Sequence, residues 1–242
     1  MQYSVIIPAH NEAENLPPLL HELDEVMASL CDSWEVIVVD DASTDETWNT
    51  LKALLHTSLQ LKGIQLKQQS GQTAALLAGI REAQGEILIT LDGDGQNDPH
   101  DIPLLLTALQ DADCVSGRRI NRQDSWDKKL TSSLANGMRR YLLGDTIHDT
   151  GCSLKAFRTS CFEKIKLFRG MHRFLPSLLM IEGYQVLEIP VSHRLRKAGK
   201  SNYSLLNRGF STISDLLAVW WMKRRHIQPE IAQRLHSVEG SV

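Results

Sequence analysis

The sequence predicts an α/β fold with a mostly parallel sheet flanked by helices. Two observations predict it. First, continuous apolar runs alternate with amphipathic segments: Val5-Ile6-Ile7, Val36-Ile37-Val38-Val39 and Ile87-Leu88-Ile89. Strands covered on both faces read as unbroken apolar runs, whereas a half-exposed strand alternates. Second, three of these runs end in polar clusters: Pro8 to Glu12, Asp40-Asp41, and Asp92 to Asp94. Ligands of open α/β sheets bind outside the carboxyl ends of the strands, so the three clusters are expected to share one crevice.

Ser4 to Ile7 forms the first strand, stopped by Pro8. Asn11 is placed to cap a helix from near Glu12, with Leu16, Leu19, Leu20, Leu23 and Val26-Met27 at helical spacing. Val36 to Val39 is the second strand. Ser43 or Thr44 then caps a helix carrying Trp48, Leu51 and Leu54-Leu55. Ile64 to Leu66 is a short third strand, Gln72 to Ala83 an alanine-rich helix, and Ile87 to Leu91 the fourth strand. Beyond Asp98-Pro99 come a helix over Ile102 to Leu109 and a strand over Asp113 to Ser116. The alternation then weakens, with a polar loop over Arg118 to Asp127 and a helix within Lys128 to Leu143. After Pro190 the chain turns basic, and His193, Arg194, Arg196, Lys197 and Lys200 fall close together.

The 242 residues are 42% hydrophobic, enough for one large domain with a substantial core. A net charge of -3 gives nucleic-acid binding no support. The four cysteines form no CxxC pair and have no zinc spacing, which fits free thiols in a reducing compartment. Met1-Gln2-Tyr3 runs straight into a strand without a basic leader, and no run of ~18 apolar residues is long enough to span a bilayer. A cytoplasmic location is therefore expected.

Asp92-Gly93-Asp94 follows the fourth strand. Carboxylates at i and i+2 leave a strand on the same side. Two anionic oxygen donors aimed together suit a hard divalent cation, whose shell phosphate oxygens can complete. Gln96 adds a polar group two residues on. Taken alone, the tripeptide could equally be a solvated turn or a helix cap. Asp40-Asp41 could accept hydrogen bonds from a base or ribose, with Ser43 and Asp45 capping the next helix. Glu12 could do the same or complement a helix N-terminus. A Rossmann oxidoreductase is excluded, because no G-x-G-x-x-G follows the first strand.

Taken in order, Val5 to Glu12, Val38 to Asp45 and Asp92 to Gln96 resemble the strand-end motifs of a family 2 glycosyltransferase of the GT-A fold. The third resembles that family's DxD motif. Ser116-Gly117-Arg118 is similar to the Gly-Ser-Arg segment of polyprenyl-phosphate glycosyltransferases, the group that includes dolichyl-phosphate mannosyltransferase. Asp149 to Lys155, Gly170 to Pro176 and His193 to Tyr203 resemble later segments of that group. His10 stands where many relatives carry Tyr, and Asn202 where many carry Lys.

The resemblance implies a metal-dependent, inverting transfer of a sugar from GDP-mannose or a UDP-sugar to undecaprenyl or dolichyl phosphate. Mg²⁺ or Mn²⁺ would be held by Asp92 and Asp94 with Gln96. The donor would contact Pro8, His10, Glu12, Asp41, Asp92, Gly93 and Gln96. Asp94, Arg118 and Asp149 would be catalytic. Arg118, Arg173, His193, Arg196 and Lys200 would face acceptor and phosphates. A lipid phosphate is already anionic and needs no base, whereas an alcohol acceptor would need one, for which Asp149 is the best candidate. The rival readings are a GT-A glycosyltransferase acting on a saccharide or protein hydroxyl and a non-catalytic module that senses a nucleotide sugar.

The GT-A domain is expected over residues 1–204, an amphipathic helix over 205–226 and a frayed tail over 227–242. Leu206, Phe210, Ile213, Leu217 and Trp220 recur at helical spacing before Lys223-Arg224-Arg225. Such a helix suits the membrane interface, and would make the protein peripheral on the cytoplasmic face of the inner membrane. It could instead pack on the domain's own core or at a dimer interface. A separate membrane-spanning partner could recruit the enzyme.

Overall fold

Seven strands form one sheet: β1 (Tyr3–Ala9), β2 (Trp34–Asp40), β3 (Leu61–Gln65), β4 (Ile87–Thr90), β5 (Cys114–Arg119), β6 (Lys155–Arg158) and β7 (Val186–Val191), in the order β3-β2-β1-β4-β6-β5-β7. The computed structural model describes residues 1–31, 33–56, 60–120, 136–163, 165, 168–196 and 205–227, the first seven of the last range by backbone only. Lys197, Lys200, Asn202, the stretch 121–135 and the tail beyond 227 lie outside the described residues, as do the side chains of Leu206 and Phe210.

All strand pairings are parallel except those of β6, which runs against β4 and β5. The mostly parallel sheet expected from the apolar runs is thus present, with one reversed strand that the sequence did not suggest. The strand order turns back between β1 and β4, so the switch-point crevice lies where Ala9 and Thr90 end their strands.

Alternate residues of each strand feed two cores. Val5, Ile7, Val36, Val38 and Ile89 pack against Leu16, Leu19, Leu23 and Met27 of α1 (Leu16–Leu30) and Ile102 and Leu105 of α4 (Ile102–Ala108). On the opposite face, Ile6, Leu88 and Phe157 meet Leu76 of α3 (Gln72–Glu82), Leu175, Leu178 and Leu179 of α6 (Leu175–Ile181), and Leu216 and Val219 of α7 (Leu205–Arg224). Gly79 lets α3 lie close on the sheet, since a Cβ there would come within 2.5 Å of Ile6. The remaining helices are α2 (Thr47–Leu55) and α5 over 136–143, within the stretch expected to be helical.

Several expected boundaries move, each for a local reason. β1 continues through Pro8 to Ala9, and β5 extends through Arg119 because β7 pairs with it that far. α1 begins at Leu16, and Asn11 caps no helix. Asn11 instead adopts a left-handed conformation (φ 59°), and its Oδ1 accepts the Thr44 and Asp45 N–H groups at 2.8 and 3.3 Å. Nor do Ser43 or Thr44 cap α2. Ser43 turns back to Asp40, and Asp45 Oδ1 accepts the Thr47 N–H at 3.0 Å. Ser43 Oγ also accepts the Asn11 N–H at 2.9 Å, so Asn11 and Ser43 fasten the loops after β1 and β2 to each other in place of capping a helix.

Candidate active site

The loops after β1, β2 and β4 converge. Asp41 is buried, and its two oxygens accept the Ser70 and Gly71 N–H groups at 2.7 and 2.8 Å, fixing the segment that leads into α3. His10 Nδ1 lies 2.8 Å from the Asp41 carbonyl oxygen, and Gln69 Nε2 lies 3.2 Å from its Nε2. Glu12 is buried beside the acidic pair. It accepts hydrogen bonds from Asn15 Nδ2 (2.6 Å) and from the Arg196 guanidinium.

Asp92 is oriented from two sides. Gln72 Nε2 donates to its Oδ1 at 2.6 Å, and its N–H donates to Ser153 Oγ at 3.2 Å. Ser153 donates in turn to Asn97 Oδ1 at 2.6 Å. Asp94 Oδ1 accepts the Gln96 N–H at 3.1 Å. Burial first, and the nearby Asp94 charge second, push the Asp92 carboxyl up to about 6. Burial likewise raises Glu12, with Asp94 and Asp92 adding to the rise and Asn15 and Arg196 opposing it. Arg196 on Glu12, and Lys155 and Arg119 near Asp92, offset part of this charge, and the carboxylate oxygens are donors of the kind a hard divalent ion takes. Asp92 and Asp94 therefore fit a metal. Gln96 sits beside them, but its amide nitrogen turns to the Arg194 carbonyl at 3.5 Å.

The basic segment after β7 docks on this turn. Arg194 N–H donates to the Gln96 carbonyl at 2.8 Å, and His193 forms a bridge with Asn97. Arg196 thereby reaches Glu12. Arg194 pairs with Glu22 (2.5 Å) and Asp98 (2.7 Å), two members of the grouping of Glu22, Asp98 and His100 that could hold a metal, and offsets part of its charge. Arg173 stands elsewhere, donating to Thr212 of α7 at 3.0 Å.

Two basic residues near Asp92 escaped the sequence reading. The first is Arg119. Its Nε and Nη2 bind Asp149 Oδ2 and Oδ1 at 2.7 and 2.8 Å, while its neighbour Arg118 is exposed. Adjacent strand residues point to opposite faces, and sequence alone does not say which arginine faces the acidic turn. Burial lowers the Arg119 pKa, but the bonds and charge of Asp149 outweigh it and leave it raised. The second is Lys155, which is buried at the start of β6 and donates to the Thr150 and Cys152 carbonyls. Burial pulls its pKa down, and Cys152, Cys114, Asp149 and Asp92 hold it up. Gln72 reads in the sequence only as a helix start, and Ser153 only as part of the Asp149 to Lys155 segment, because neither context marks a contact to a carboxylate.

The Glycosyl transferase family 2 model matches residues 4–166, which include β1 to β6 and the acidic turn. The chain belongs to this family. A protein named dodecaprenyl-phosphate galacturonate synthase, from Rhizobium johnstonii, is 37% identical over 235 residues, covering 95% of this chain and 69% of that protein. The undecaprenyl-phosphate 4-deoxy-4-formamido-L-arabinose transferase of Proteus mirabilis is 37% identical over 205 residues, 84% of this chain and 63% of its own length. The chain thus spans about two thirds of these relatives. Among solved structures, a mannosyltransferase from Pyrobaculum calidifontis, in complex with GDP-Man and Mn²⁺, superposes with a TM-score of 0.64 at 19% identity, covering 95% of this chain and 66% of that one. A Mycobacterium tuberculosis glucosyl-3-phosphoglycerate synthase with Mn²⁺, UDP and phosphoglyceric acid gives 0.67 at 17%, covering 94% and 80%. These likenesses give the family 2 glycosyltransferase a GT-A fold.

Proposed function

We propose that this protein transfers one sugar from a nucleotide-sugar donor to polyprenyl phosphate with inversion at the anomeric carbon. The observation that carries the reading is the meeting of Asp92, Asp94, Glu12 and Arg196 at the β1/β4 switch point. It is supported by the likeness, over nearly the whole chain, to an enzyme named for a dodecaprenyl-phosphate product.

Asp92 and Asp94 would hold Mg²⁺ or Mn²⁺, which when bound neutralises charge developing on the departing diphosphate. Asp41 and His10 shape the floor for the nucleoside. Arg196 and His193, carried in by the segment after β7, supply donors for phosphate oxygens, with Arg118, Arg173 and Lys200 proposed on the acceptor side. Asp149 has both oxygens committed to Arg119, which favours an orienting role over general-base work and an anionic acceptor over a hydroxyl. Among the described residues no helix is long and apolar enough to cross a membrane. α7 is proposed as a surface contact with the bilayer that carries the acceptor, which would make the protein peripheral on the cytoplasmic face.

The test is transfer of label from GDP-mannose, UDP-glucose, UDP-GlcNAc and nucleotide-activated galacturonate to undecaprenyl phosphate with Mn²⁺ or Mg²⁺. A labelled lipid from one donor is expected. Label only in a water-soluble saccharide, or nucleotide binding without turnover for every donor, overturns the reading.

A further inference from the structure

We propose that the first turn of α3 sets the donor carboxylate against the acceptor-side segment, with Gln72 positioning Asp92 and Thr73 positioning Gly170 and His172. The inference rests on the functional reading for its acceptor half only.

Gln72 and Thr73 are consecutive, so their side chains leave the helix about 100° apart. One reaches the acidic turn, where Gln72 Nε2 donates to Asp92 Oδ1 at 2.6 Å. The other reaches the segment before α6. Thr73 is buried, its Oγ1 accepts the Gly170 N–H at 3.0 Å, and His172 Nδ1 lies 2.7 Å away. Gly170 has φ +94°, and a Cβ there would sit 2.4 Å from an Asp215 oxygen of α7. The 170–173 turn is therefore pinned between α3 and α7, with Arg173 bonded to Thr212.

Neither residue offers an atom to the reaction itself. Both act through others, as groups do that orient metal ligands from behind. The carboxylate oxygen that Gln72 holds cannot swing without breaking a charge-assisted bond. The Thr73 hydroxyl fixes where the 170–173 turn starts. Because both are anchored in one rigid turn of helix, a shift of either would change the spacing between donor and acceptor halves, to which group transfer is sensitive.

The test uses the full chain and three readouts. Gln72→Leu keeps size and removes the donor. Calorimetric binding of Mn²⁺ in the presence of GDP, and separately UDP, should weaken about tenfold, with the acceptor KM unchanged. Thr73→Val removes the hydroxyl. It should shift the His172 ring resonances and raise the acceptor KM about tenfold, while Mn²⁺ binding stays as in wild type. Thr73→Ser should restore both, and Thr73→Ala replaces Val should the larger side chain prevent folding. Wild-type Mn²⁺ binding by Gln72→Leu, unmoved His172 resonances in Thr73→Val, or failure of Thr73→Ser to restore them would overturn the proposal. Binding and resonance arms need no lipid. A wild-type enzyme that labels no polyprenyl phosphate therefore defeats the functional reading and leaves these two outcomes to decide this one.

Discussion

Arg119 grips both carboxylate oxygens of Asp149 in a two-pronged ion pair, with a third bond from its own N–H at 3.3 Å. Glu188 holds the Asp149 N–H at 2.7 Å from the other side. A carboxylate so engaged is expected to act as a structural anchor. Asp149→Asn is expected to cost about 2 kcal/mol, less than the ~3–5 for breaking a fully buried pair because Arg119 keeps some contact with water. A denaturant melt measures that loss. The acid limb of the pH–rate profile should stay where it is in wild type. Disappearance of that limb would make Asp149 a general base.

Asp92 gives a pH-dependent stability prediction. Its folded pKa is raised from 3.8 to about 6 by burial and Asp94. The folded state therefore binds that proton more tightly, stability falls as pH rises between those values, and the cost is fully present above about 6. Asp92→Asn should raise the Tm of the metal-free protein by several degrees at pH 7.5, with the gain gone at pH 4. Mn²⁺ should then stabilise wild type but not the variant. An identical Mn²⁺ shift in both would remove Asp92 from the metal site.

Asn11 tests the link between the first two loops. It needs a left-handed backbone and supplies an acceptor to Thr44 and Asp45. Asn11→Gly keeps the first and loses the second, whereas Asn11→Ala loses both. Alanine should be the worse by about 1 kcal/mol, and both should weaken nucleotide binding measured by calorimetry. Equal stability of the two would mean the backbone conformation carries no strain.

α7 has two faces that should respond oppositely. Leu216 and Val219 are buried, while Ile213, Leu217 and Trp221 are each about half exposed along one stripe that leads to Arg224 and Arg225. Leu216→Ala should destabilise by about 2–3 kcal/mol. Leu217→Glu with Trp221→Glu should leave the melt unchanged and abolish co-sedimentation with anionic vesicles. Undiminished sedimentation would assign the stripe to a protein contact.

The convergent strand ends were legible because their signals are local. Unbroken apolar runs and acidic strand ends mark β1, β2 and β4, and three motifs in order suffice to place them. The remaining contacts of the site depend on facts that sequence order hides. β6 has only four residues, Lys155 to Arg158, two of them charged, and its buried lysine contradicts the apolar pattern of an interior strand. The choice between Arg118 and Arg119 turns on which face of β5 meets the acidic turn. Gln72 looked like any helix opening because its partner lies twenty residues on, across a strand. Asn11 and Ser43 were misread as caps since a short polar side chain before a helix has the same signature whether it turns to its own backbone or to a neighbouring loop.

The reversal of β6 has an effect on how such a chain can change. In a parallel sheet only the outgoing ends of strands reach the crevice, so each new contact requires a lengthened loop there. Running the other way, β6 presents its incoming end to the outgoing end of β4, and Ser153 and Lys155 arrive beside Asp92 from the chain that precedes the strand. Insertions or deletions before Asp149 can therefore remodel one wall of the crevice while the register of β1, β2 and β4 stays untouched.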